Sequence, residues 1–102
     1  MSAFVYILKC ADGTYYTGSH RGDDLGVRIG DHQQGRGGDY TARRRPVTLV
    51  YSDWFTLITD AIAAERQIKG WSRAKKEALI EGKFEVLPGL AKRKSGKLKS
   101  KS

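Results

Sequence analysis

Cysteine is almost missing: Cys10 stands alone in the chain, so no internal disulfide can form, and no Cys/His cluster of zinc-site spacing exists. A reducing compartment fits that composition, and a cytoplasmic location is expected. Long apolar runs are missing too. The stretch Phe4 to Leu8 is cut off by Lys9, is far too short to span a membrane, and lacks the charged start of a secretion signal. Proline occurs only at Pro46 and Pro88, so few positions forbid regular structure. Acid is absent from the last twelve residues, Ala91 to Ser102, which hold six lysines or arginines.

The formal charge of +8 is therefore uneven, since residues 1 to 90 carry thirteen basic and eleven acidic groups. A field of this kind attracts polyanions, above all nucleic acid, with an affinity that falls as salt rises; the alternative for the basic end is a solvated, solubilising tail. With 102 residues there is room for one domain and none for a second catalytic one. Hydrophobic residues are 39% of the chain and nearly all precede Pro88, so the folded body is expected to end near there.

Phe4 to Cys10 alternates two side-chain sets in a run rich in β-formers, which predicts a strand. Asp12-Gly13 is a hairpin signal, and Thr14 to Ser19 is the expected returning strand. Tyr6 and Tyr16 would then project from adjacent antiparallel strands. Asp23 and Asp24 can cap a helix through Gln34 with Gly35 to stop it; Leu25, Arg28, Ile29 and His32 share its inner stripe. Gly26 and Gly30 weaken that helix by roughly 1 kcal/mol each relative to alanine, so packing must hold it. Residues 35–45 read as a glycine- and arginine-rich loop, and Val47 to Phe55 as a third strand. Thr59 can cap a helix over 60–69 closed by Gly70, and Ser72 another reaching about Glu81.

Four features of this pattern carry chemistry. Glu65 lies on the same stripe as Ala61, Ile62 and Ile68, where an unpaired carboxylate costs several kcal/mol; it is either an ion pair with Arg66, Lys69 or a distant residue, or a metal ligand. Tyr6 and Tyr16 are either cross-strand packing or ligand-facing phenols. Arg28 and His32 share one helical face, and an arginine there is hard to explain without an anion. Arg36 and Arg43-Arg44-Arg45 around Tyr40 are either a solvated run or a phosphate grip.

In order and spacing, Phe4-Val5-Tyr6, Tyr16-Thr17-Gly18, Arg28 with His32, Tyr40 and Glu65 resemble the GIY-YIG nucleases, over about residues 3 to 81. The likeness is to small single-domain bacterial members, down to Tyr40-Thr41 before Arg-Arg-Pro and to the stretch 71–76. Phe4 stands where the motif's name has glycine and Thr17 where it has isoleucine; no match is found for the asparagine some members place after the metal-binding helix. The resemblance implies an α+β fold, a three-stranded antiparallel sheet flanked by helices with the site on one face of the sheet; with the hydrophobic and charge distribution, this gives a domain over residues 1–90 and a disordered basic tail over 91–102. The resemblance also implies a catalytic set of Tyr6, Tyr16, Arg28, His32 and Tyr40 and Glu65 as metal ligand; beside it, the basic residues Arg43, Arg44 and Lys69 are expected on nucleic acid.

Phosphodiester hydrolysis needs an activated water and stabilisation of charge on the phosphoryl and leaving oxygens. Glu65 is a hard oxygen ligand suited to Mg²⁺ or Mn²⁺, and of four glutamates and seven aspartates it is the only one placed on an inward stripe, which implies one metal. Tyr6 is the preferred base, with Tyr16 the runner-up, and nearby cations must then favour the phenolate; His32 can accept or relay the proton. The expected function is a metal-dependent DNA endonuclease of repair or recombination, needing no small-molecule cofactor and no membrane. The alternatives are an inactive nucleic-acid-binding module on the same scaffold and an interaction domain docking through Trp54 and Trp71. Single-stranded, duplex and branched substrates, and RNA, all stay open.

Overall fold

The structure is a computed structural model that describes residues 2–82; the segment Phe84 to Leu90 and the tail expected to be disordered lie outside the described residues. The alternating run forms β1 (Ala3–Lys9), and the returning run forms β2 (Tyr15–Arg21). Between them Gly13 takes a φ of 86°, open to glycine without a side-chain clash. Asp12 Oδ1 accepts from the Thr14 backbone N–H at 3.1 Å and its hydroxyl at 2.6 Å. Those bonds hold the Asp12 carboxyl below its usual range. A third strand, β3 (Thr48–Phe55), completes an antiparallel sheet of order β2-β1-β3. β1 is therefore central, and Ala3, Val5, Tyr6, Ile7 and Leu8 are buried.

Side-chain alternation gives the sheet two different faces. On one, Tyr6, Leu8 and Cys10 cluster with Val47, and Leu25 and Ile29 of α1 (Leu25–Gln33) pack against them beside Tyr16. Leu25 and Ile29 are partly buried, so each contributes a fraction of the roughly 1.5–3 kcal/mol that full burial of a large apolar side chain gives, and this offsets the two glycines inside α1. Asp24 caps the helix, its Oδ1 taking the Gly26 N–H at 2.9 Å. Residues 35–45 are not all loop: Asp39–Ala42 form a single helical turn, α2. With no side chain capping it and no apolar periodicity of its own, it leaves no local signal.

The other face carries Val5 and Ile7. Against β1 and β2 packs α3 (Ile58–Lys69), burying Ala61, Ala64 and Ile68. Glu65 flanks this stripe. Alternation along β3 is broken by a bulge: Ile7 pairs with Tyr51 but Leu8 with Leu49, so Val50 is extra. Val47 and Leu49 consequently share the Tyr6 face, whereas Tyr51, Asp53 and Phe55 turn to the Val5 face. The reading that Glu65 is the only inward acid is corrected here, because Asp53 is also buried, at 8% exposure, with its Oδ1 on the Trp54 N–H.

This first unit ends at Lys69, and a second begins at Gly70. The second holds α4 (Arg73–Ile80), started as expected by Ser72, whose hydroxyl accepts the Lys75 N–H at 3.3 Å. An ion pair of 3.2 Å between Arg73 and Glu77 spans one of its turns. Among the described residues no helix is long and apolar enough to cross a membrane.

Candidate active site

Tyr6 leaves the central strand on the α1 face and leans over its neighbour in β2, Gly18. A β-carbon at Gly18 would lie 2.6 Å from the Tyr6 hydroxyl oxygen, so only glycine lets the ring cross this strand. The hydroxyl is carried to two groups of α1. His32 Nε2 lies 2.8 Å from Tyr6 Oη, and Arg28 donates its Nε–H to the same oxygen at 3.3 Å. Residues 28 and 32 are one helical turn apart, which is why one phenol meets both.

The remaining rings build outward from this pair. Tyr16 stacks at a tilt against Tyr6, its centroid 6.4 Å away, and lies 5.1 Å from the His32 ring. Tyr40 of α2 follows at 5.9 Å from Tyr16. Arg44 lies over the Tyr40 ring, 3.9 Å from its centroid, and donates to Asp12 Oδ2 and the Tyr40 carbonyl, both at 3.0 Å. Of the arginines expected on nucleic acid, Arg44 is thus tied to the protein, while Arg43 is exposed. Thr17, in the motif's isoleucine position, is buried on the opposite face; its hydroxyl finds no partner among the described residues, so it serves as a β-branched filler.

His32 is fully buried, and its second nitrogen, Nδ1, is 2.8 Å from the Thr41 hydroxyl. Burial pushes the imidazole pKa down and the nearby Arg28 charge pushes it further, against a weaker pull from Asp31. His32 is accordingly neutral at neutral pH. Burial also raises the Tyr6 phenol, and the hydrogen bond and charge of Arg28 only partly oppose it. Arg28 does favour the phenolate as expected, but burial outweighs it, so Tyr6 rests as a neutral phenol.

Glu65 is placed differently from the expected single-face arrangement. Its Oε1 accepts the Ser19 hydroxyl at 2.5 Å, and its Oε2 pairs with Lys69 Nζ at 2.6 Å. Ser19 follows Gly18 in a regular strand, so its side chain leaves from the opposite face. The carboxylate reaches edge strand β2 from the far side of the sheet, near enough for its charge to add to the upward shift of Tyr6. Burial alone would raise the Glu65 carboxyl, but the hydrogen bonds from Lys69 and Ser19 win and hold it below its usual range. Ser19 and Thr41, the partners of the acid and the imidazole, were not singled out from sequence; both lie beside motif residues, at Gly18 and Tyr40.

Over residues 2–78 the sequence matches the family described as the GIY-YIG catalytic domain. The chain belongs to that family. It is 44% identical over 80 residues to a UPF0213 protein of Staphylococcus aureus, an alignment covering 78% of this chain and 95% of the relative. Two solution NMR structures are similar. A UPF0213 protein of Bacillus halodurans shares 41% identity at a TM-score of 0.51, covering 79% of this chain and 84% of that one. A protein of E. faecalis shares 32% identity at a TM-score of 0.55, covering 84% and 88%. GIY-YIG membership places the chain among nucleases, whose substrate is nucleic acid and which generally depend on a divalent metal.

The residues present fit such an ion in a limited way. Among the described residues no three of histidine, cysteine, aspartate and glutamate gather as a metal site. One ionised carboxylate completed by water is nonetheless an ordinary Mg²⁺ arrangement. Glu65 would supply that carboxylate, whose Oε2 is paired here with the half-exposed Lys69.

Proposed function

We propose that this chain is a divalent-metal-dependent endonuclease hydrolysing phosphodiester bonds of DNA, with Tyr6 as general base and Glu65 as the ligand of Mg²⁺ or Mn²⁺. The observation that carries this reading is the Tyr6 hydroxyl held between His32 Nε2 and Arg28 Nε. When bound, the ion supplies charge stabilisation on the phosphoryl and leaving oxygens. The chain's own residues handle the proton and the substrate. Tyr6 passes its hydrogen to neutral His32 as it takes one from the attacking water, so that the phenol ends neutral and the proton rests on His32, while Arg28 stabilises the negative charge that develops on the phenol oxygen during the transfer. Arg28 also presents further N–H donors to a phosphate. Tyr16 and Tyr40 wall the approach with rings on which bases can stack, and Arg43 and the displaced Lys69 meet the backbone. Repair or recombination in the cytoplasm is the proposed setting.

The test is a cleavage panel over single-stranded, duplex and flap DNA and RNA with Mg²⁺ or Mn²⁺. Cleavage of a DNA substrate is expected, abolished by Glu65→Ala while salt-sensitive binding survives. Absence of cleavage on every DNA, or equal cutting by the variant, makes the mechanism wrong.

The Lys69 pair favours a second reading. An ammonium 2.6 Å from Glu65 Oε2 already neutralises that carboxylate, as in a binding module that does not turn over. Under either reading, deleting residues 91–102 removes six cations, and the slope of log K against log salt should shrink by up to about five for duplex DNA. Only the second reading predicts binding without a metal-dependent product.

A further inference from the structure

The Thr41 hydroxyl is fully buried, yet the proton transfer described above does not use it. It sits 2.8 Å from His32 Nδ1, on the opposite side of the ring from Tyr6. A neutral imidazole has one N–H and one bare nitrogen, and which is which depends on the partners of each. Here the surroundings distinguish the two choices.

If Nδ1 carries the hydrogen, it donates to Thr41 Oγ1, and the Thr41 hydroxyl donates onward to the Gly38 carbonyl at 3.5 Å. Nε2 is then bare and accepts the Tyr6 hydrogen, while Tyr6 Oη accepts from Arg28. Every hydrogen in the chain has an acceptor. If Nε2 carries the hydrogen instead, Tyr6 Oη faces two N–H donors, Arg28 and His32, and its own hydrogen must turn away from the cluster. That loss matters at a fully buried phenol. Ring rotation offers no escape, because a flipped imidazole would put ring carbons where Nε2 and Nδ1 now meet the Tyr6 and Thr41 oxygens and would lose both bonds.

We propose that Thr41 is a positioning residue: its hydroxyl fixes His32 as the Nδ1–H tautomer, leaving Nε2 bare to receive the proton of Tyr6. α2 thereby has a role in the site, since its single turn brings the Thr41 hydroxyl over the Gly38 carbonyl. The role in catalysis rests on Tyr6 and His32 as the proton-handling pair; the tautomer itself does not.

The deciding experiment is ¹⁵N-histidine NMR on the full chain, read beside steady-state cleavage kinetics. In the wild type His32 should show a protonated Nδ1 and a bare Nε2. Thr41→Val keeps the shape and removes the hydroxyl; it should shift His32 toward the Nε2–H form and lower kcat by roughly 10²-fold with KM little changed. Thr41→Ser should restore both. A wild-type His32 protonated at Nε2, or a Thr41→Val protein that keeps Nδ1–H, overturns the proposal. Should Thr41→Val not fold, Thr41→Ala removes the hydroxyl with less bulk and is read in the same way. A wild type that cuts nothing sinks the nuclease reading instead, and the spectra of wild type and variant still decide on Thr41.

Discussion

Gly18 and Tyr6 face each other across β1 and β2, and the phenol fills the space a side chain at Gly18 would need. The tyrosine can therefore reach from the central strand across an edge strand and put its hydroxyl on His32 and Arg28.

Gly18→Ala should be more damaging than a strand alanine ordinarily is. The new methyl lies within 3.0 Å of both the Tyr6 and Tyr16 rings, so overpacking is expected to cost about 1–3 kcal/mol. Urea unfolding should show a lower midpoint, and cleavage should be lost even at temperatures where the variant is folded. A fully active Gly18→Ala protein would mean that the ring's path over β2 is not required.

Tyr6→Phe and Tyr16→Phe separate the two candidate bases. Removing the Tyr6 hydroxyl leaves buried His32 Nε2 without its partner, which should cost about 1–3 kcal/mol and abolish turnover. Tyr16 contributes ring contacts to the cluster, and Tyr16→Phe keeps them, so most of kcat should remain. The reverse ranking of cleavage rates would move the base to Tyr16.

Lys69→Met should tighten metal binding. The ammonium competes for Glu65 Oε2, at 2.6 Å; without it the ion meets an uncompensated carboxylate, and the apparent Mn²⁺ dissociation constant, read by titration calorimetry, should fall roughly tenfold, about 1.4 kcal/mol. Glu65→Gln should show no binding at this site. An unchanged constant in Lys69→Met would remove Lys69 as a competitor.

Stability should decline on mild acidification because of His32. Burial and Arg28 lower its folded pKa below the unfolded value near 6.5, so between those two values the unfolded chain binds more protons than the native one. The stabilisation is whole above about pH 6.5 and is lost as pH falls through the depressed folded value. Urea midpoints measured from pH 7.5 to 5 should drop more steeply for the wild type than for His32→Gln. Parallel slopes would show that His32 is not the titrating group. Glu65, also depressed in the folded state, adds a further loss at lower pH, below its unfolded value of about 4.3.

Local patterns were enough to mark the three strands, the Asp12-Gly13 turn, the Asp24 and Ser72 caps and the residues that meet in the aromatic cluster, because each depends on chemistry within a few positions. The order of Tyr6, Tyr16, Arg28, His32 and Tyr40 carried the family with it. Three things came only with the fold, since each joins distant segments or depends on register. The bulge at Val50 divides the odd residues of β3 between two faces, which period-two counting cannot detect. The turn of α2 depends on a partner, His32, supplied by another helix. Glu65 was recognisable as an acid on an apolar stripe, but its approach from the far face through Ser19, and its neutralisation by Lys69, follow from how α3 lies on β2.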